Sequence, residues 1–122
     1  MARVLVVDDE YTFAEFAKLI VEGLGHTALI CLDASKAVDM AVFHRPDIVI
    51  LDLNMEELDG LELIAQLKAR EETKTIPLIL ASSSTDKADR VEALKRGAVY
   101  SILKPIQKET LKLLIDRLVP GK

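Results

Sequence analysis

Five short, almost unbroken apolar runs constrain this chain more than any other feature. They are VLVV within 3–7, TALICL at 27–32, DIVILDL at 47–53, IPLILAS at 76–82 and VYSIL at 99–103. A segment that is apolar at consecutive positions yet too short for a helix reads as a strand buried on both faces. Between these runs the apolar spacing becomes helical. Residues 11–24 place Phe13, Phe16, Ala17, Ile20 and Leu24 on one side, with Gly25 suited to the C-terminal cap. Further helices are expected from about Ala34 to His44, from about Leu58 to Arg70 with a stripe of Leu61, Ile64 and Leu67, near Asp86 to Arg96, and near Gln107 to Leu118.

Strands that lose water on both faces, each followed by an amphipathic helix, imply a parallel sheet covered by helices on either side. Five such units in 122 residues suit one domain spanning 1–122, with 119–122 as a tail or the start of a linker. The expected fold is α/β: a flavodoxin-like (βα)5 three-layer sandwich whose strands run in the order 2-1-3-4-5. Half the residues are hydrophobic, which excludes a disordered chain. A net charge of -4 with no Lys/Arg block argues against direct nucleic-acid binding. No apolar stretch reaches the roughly 18 residues of a membrane span, and MARVLVVDDE lacks the zones of a secretory signal. A cytoplasmic protein is expected. Cys31, the single cysteine, reads as a small buried hydrophobe in a strand.

In a sheet of this order, ligands bind beyond the carboxyl ends of the central strands. Those ends carry Asp8 and Asp9, Asp52, Ser82 and Ser83, and Lys104. Taken singly, an Asp after a strand is a cap or turn former. Together, three carboxylates repel one another and call for a cation. Hard oxygen donors in a partly hydrated pocket favour Mg2+, and the ion together with one lysine would balance the three acids. Asp52 could then attack phosphorus to form an aspartyl phosphate, while the Ser82 hydroxyl and the Lys104 ammonium bind the phosphoryl oxygens.

These residues carry a resemblance. The segments VVDDE, PDIVILDLNMEELDGLEL, PLILASSS and GAVYSILKP, and the separations from Asp52 to Ser82 and to Lys104, are similar to those of response-regulator receiver domains over essentially the whole chain. The chain is most like the single-domain, chemotaxis-regulator kind. The resemblance implies that Asp52 accepts a phosphoryl group from a histidine kinase or histidine phosphotransfer protein and that a downstream protein reads the altered surface. It also implies direct Mg2+ ligation by Asp9 and Asp52, ligation by Asp8 through water, and a further ligand from the backbone carbonyl of Asn54. Asn54 and Ser84 occupy positions that tune dephosphorylation, and the Lys104–Pro105 peptide bond is expected to be cis. Such domains catalyse only their own phosphorylation and dephosphorylation, and they act as monomers or as phosphorylation-linked dimers.

Two positions depart from the family pattern. Ser101 stands where relatives place an aromatic switch residue three positions before the lysine; Tyr100 is adjacent but should point to the opposite face. Glu56 stands where relatives commonly have proline, and it either complements the dipole of the third helix or adds negative potential beside Asp52. His26 and His44 read as surface residues, the Phe13/Phe16 pair as core and Met55 as loop packing. Competing functions are weaker. A small Mg-dependent aspartate-nucleophile phosphatase would want an acid where Asn54 stands, and a flavin carrier would not place Asp8, Asp9 and Glu10 against a phosphate. A receiver-like module that signals without phosphate would not need a complete acidic site.

Overall fold

The computed structural model describes residues 1–56, 58–83 and 87–121. In chain order the elements are β1 (Arg3–Val7), α1 (Tyr11–Gly23), β2 (Thr27–Cys31), a 3-10 turn (Ala34–Lys36) leading into α2 (Ala37–His44), β3 (Ile48–Asp52), α3 (Gly60–Ala69), β4 (Leu78–Ser82), α4 (Lys87–Arg96), β5 (Tyr100–Leu103) and α5 (Lys108–Leu118). All neighbouring strands pair in parallel, in the order β2-β1-β3-β4-β5. The expected topology is the observed one.

The sheet divides the core in two because successive side chains leave opposite faces. Leu5, Val7, Val49, Leu51, Leu78 and Leu80 pack with buried residues of α2, α3 and α4. Val4, Val6, Ile48, Ile50, Ile79 and Ala81 pack with α1 and α5, through Phe13, Ala14, Ala17, Leu111 and Ile115. The three inner strands are therefore almost wholly buried, whereas β5, at the sheet edge, is only half-buried.

Local chemistry explains where the elements begin. The segment after β2 is not a single helix from Ala34: the Asp33 carboxylate accepts the Ser35 N–H and winds one tight turn first. Helix α3 starts at Gly60 rather than near Leu58, because the Asp59 carboxylate accepts the Leu61 N–H at 2.9 Å. Helix α1 ends as expected, with Gly25 at φ 91° just beyond it. The Asp86 start expected for α4 lies outside the described residues.

Two expected core positions are corrected. Phe16 is 45% exposed, so the Phe13/Phe16 pair is divided and only Phe13 is core. In α3 the deeply buried stripe is Leu63, Ile64 and Leu67, with Leu61 only half-buried. Which part of a helix's apolar arc the sheet covers is left undetermined by spacing along that helix alone. Cys31 and Met55 are buried as expected. Burial also pushes the Cys31 thiol above its ordinary range, which suits a packing role.

Candidate functional site

The carboxyl edge of the sheet gathers residues remote in sequence. Asp8 follows β1, and its N–H donates to the Cys31 carbonyl at 3.0 Å, which holds it beside the end of β2. Asp52 ends β3, where it is the register partner of Ala81 in β4. On the far side, the Lys104 N–H donates to the Ser82 carbonyl at 2.9 Å, and the Lys104–Pro105 bond is cis as expected. The Lys104 side chain then reaches back over the sheet edge. Its Nζ donates to Asp8 Oδ2 at 2.8 Å and lies 3.4 Å from Asp52 Oδ2.

Both acids are buried, and the ammonium is largely withdrawn from water. The other Asp8 oxygen accepts the Glu10 N–H at 2.8 Å, so each of its oxygens has a donor. Asp9 is exposed, and its Oδ2 accepts the Glu56 N–H at 2.9 Å. A proline at position 56 could not make that bond. One oxygen from each of Asp8, Asp9 and Asp52 can be chosen so that all lie within 4.8 Å of one another. Three hard oxygen donors, one on an exposed residue that leaves room for water, form a cluster that could hold a divalent metal.

Burial pushes the Asp52 carboxyl above its usual range; Lys104 opposes that rise and Asp8 adds to it. The acid is thus held partly against solvation, and neighbouring positive charge offsets the cost. Ser82 is fully buried at the end of β4, one residue past the partner of Asp52. Asn54 is exposed in the loop after β3. Beside that loop opens a cleft of about 530 Å³, rimmed by Asn54, Glu56, Asp59 and Asp89. Ser84 lies outside the described residues.

Ser101 is set apart from the acids. It pairs in register with Leu80, whose side chain belongs to the α3/α4 half of the core, whereas Tyr100 packs against the α1/α5 half. Tyr100 therefore does not stand in for an aromatic at 101. The Ser101 Oγ is buried with no hydrogen-bond partner among the described residues, beside a groove of about 340 Å³ that Arg90, Val91 and Leu94 of α4 also line.

The histidines lie elsewhere. His26 Nδ1 accepts the Ala2 N–H at 2.9 Å near the start of β1, the opposite end from Asp8. His44 stacks edge-on against the exposed Phe43, and its carbonyl accepts from Arg3. Sequence reasoning missed Phe13 as part of the site: its ring centroid lies 4.1 Å from Lys104 Nζ. Its place in the first turn of α1, just after the acidic pair, was the available signal.

Comparison with known proteins agrees with this geometry. The family model described as "Response regulator receiver domain" matches residues 4–116. Protein PilH of Pseudomonas aeruginosa is 32% identical over 121 residues, covering 99% of this chain and 100% of PilH. The DNA-binding response regulator MtrA of Mycolicibacterium smegmatis is 31% identical over 109 residues, 89% of this chain but only 46% of MtrA. The signal receiver domain of a signal transduction histidine kinase from Syntrophus aciditrophicus superposes with a TM-score of 0.87 at 35% identity, covering 99% of this chain and 92% of that one. Receiver domains are signalling domains, phosphorylated by histidine kinases and acting on downstream partners. With the strand order, the converging acids and lysine, and these relatives in agreement, the chain belongs to the response-regulator receiver domain family of two-component signalling.

Proposed function

We propose that Asp52 is the phosphoacceptor of this receiver domain and that the carboxyl edge of the sheet is built to charge and discharge it. The observation that carries the reading is the Lys104 ammonium, bonded to Asp8 and 3.4 Å from Asp52 across the sheet edge. In the step, an Asp52 carboxylate oxygen forms a bond to phosphorus while the donor's P–O or P–N bond breaks, its electron pair leaving with the donor. Lys104 carries positive charge to the transferring oxygens, and the Ser82 hydroxyl donates to one of them. Mg2+ would be held by Asp9 and Asp52, by Asp8 through water and by the Asn54 carbonyl, and when bound it supplies charge neutralisation for the phosphoryl group. The donor is a histidine kinase or histidine phosphotransfer protein, in the cytoplasm. Beyond its own phosphorylation and dephosphorylation, in which Asn54 and Ser84 set the lifetime, the domain catalyses nothing. Its product is an altered surface for a downstream protein, or for a second copy.

Incubation with acetyl phosphate and Mg2+, followed by intact mass, tests the assignment. Wild type should gain one phosphoryl group and Asp52→Asn none; an equal adduct on both would reject Asp52. The same variant has a second expected signature. The folded-state pKa of Asp52 lies above its unfolded value, so the folded protein binds that proton more tightly. Its contribution is favourable at low pH and is lost as pH rises from the ordinary carboxylate range through the raised pKa. Asp52→Asn should therefore be more stable than wild type near pH 7, on the order of 1 kcal/mol, with the difference shrinking toward pH 4. Thermal unfolding at both pH values reads the sign.

Signal transmission is expected to run through the loop after Ser82 and α4, because Ser101 offers no ring to move. Hydrogen exchange with and without beryllofluoride, a phosphoryl mimic, should show changes confined to that loop and α4 in wild type. In Ser101→Tyr the changes should extend into β5. An identical pattern in both proteins would remove position 101 from the switch.

A further inference from the structure

We infer that Phe13 is a positioning residue for phosphoryl transfer, its ring face holding the Lys104 ammonium where the transferring oxygens arrive; this rests on Asp52 being the phosphoacceptor. Three features converge at one nitrogen. Lys104 Nζ lies 2.8 Å from Asp8 Oδ2, 3.4 Å from Asp52 Oδ2 and 4.1 Å from the centre of the Phe13 ring. Phe13 is 8% exposed and belongs to the α1/α5 half of the core, so α1 fixes its ring.

A lysine side chain has a flexible four-carbon stem and three donors, and nothing intrinsic keeps its head at one point. A third carboxylate would hold it, but would also cancel the positive charge that an incoming phosphoryl group needs. An aromatic face differs. Its quadrupole attracts the cation, more strongly where water is excluded, yet leaves the net charge available. The ring also shields one side of the ammonium from water, which strengthens its attraction for charge developing on the phosphoryl oxygens. An aliphatic residue of similar size would preserve packing and lose the electrostatic hold.

That distinction supplies the test. Phosphorylation by acetyl phosphate with Mg2+ is followed by intact mass for wild type, Phe13→Leu, and proteins carrying mono-, di- and trifluorinated phenylalanine at position 13. Fluorination drains the ring face of electron density with little change in shape, so it weakens the cation attraction without opening the core. Denaturant unfolding is measured on each protein so that rates are compared only among folded ones.

The expected result is a stepwise fall in initial rate along the fluorinated series, to roughly one-fifth of wild type for the trifluorinated ring and for Phe13→Leu. A flat fluorinated series would overturn the inference, whether or not Phe13→Leu is slow, because packing alone would then account for Phe13. If wild type gains no phosphoryl group, the phosphoacceptor reading fails and carries this inference with it. If wild type is labelled and the series is flat, only the role of Phe13 falls.

Discussion

Gly60→Ala is expected to destabilise the fold by about 2 kcal/mol and to slow phosphorylation of the proposed phosphoacceptor, Asp52, although alanine is the better helix former. A Cβ at position 60 would sit 2.5 Å from the Asp52 carbonyl oxygen and 2.6 Å from the Leu53 Cα. Both are backbone atoms, so no side-chain rotation relieves the overlap. The Gly60 N–H meanwhile donates to the Leu53 carbonyl at 2.9 Å, tying the first turn of α3 to the end of β3. Alanine would gain about 1 kcal/mol of helix propensity, against an overpacking cost of about 3 kcal/mol where the clash is with main chain. A net loss of that size corresponds to roughly 8 °C in Tm for a domain of this length. Gly23→Ala is the matched control: it also lies in a helix, but its Cβ would meet nothing within 4 Å, so it should be neutral or slightly stabilising. Unfolding curves for both variants check the pair, and equal effects would mean that the α3–β3 approach imposes no steric requirement. The coupling to function follows because the displaced atoms belong to Asp52 itself and to the residue after it.

Lys104→Met should cost about 2–3 kcal/mol near pH 7, and most of that loss should disappear toward pH 4. Methionine matches the stem of lysine but removes the charge, leaving the buried carboxylates of Asp8 and Asp52 without their cation. Breaking a buried pair by deleting one partner costs about 3–5 kcal/mol, and the position of this site at the sheet rim places it below that range. The pH dependence follows from linkage. Asp52 already has a raised pKa in the folded state with Lys104 opposing the rise, so removing Lys104 raises it further. A raised carboxyl pKa costs stability only where the group is ionised, which is above the ordinary carboxylate range. As pH falls the Asp52 carboxyl protonates and no longer needs a counter-charge. Denaturant titrations of wild type and variant at the two pH values decide the matter: a pH-independent difference would mean that Lys104 stabilises by packing rather than by charge. Surface ion pairs such as Lys112 with Asp116 should show no comparable effect, since solvent screens them.

Much of the architecture was legible before any coordinates. The five strands read correctly because each carries a short apolar run, but only β1, β3 and β4 are buried on both faces, while the edge strands β2 and β5 are partly exposed. Alternation with helices made the sheet parallel, and five such units in a chain of this length suit the flavodoxin-like order that the structure shows. Asp8, Asp9, Asp52 and Lys104 were legible because they lie at or just beyond the ends of apolar runs, and topology brings such ends to one edge. The misreadings have a common origin. Helical spacing places Phe16 and Leu61 on apolar stripes, but only part of each stripe is covered in the folded protein.

The amino-acid order by itself determined which segments lose water and in what alternation, and hence the parallel sheet, its two covered faces and the rim where the acids must lie. These are properties of each segment's hydrophobic period, carried locally along the chain. Only the tertiary structure decided that one ammonium bridges Asp8 and Asp52, that the face of Phe13 covers it, that the Glu56 N–H engages Asp9, and that Gly60 must lack a side chain. Each depends on separations of a few ångströms between residues far apart in the chain, and such distances are set when helices dock on the sheet, not by the pattern of any one segment.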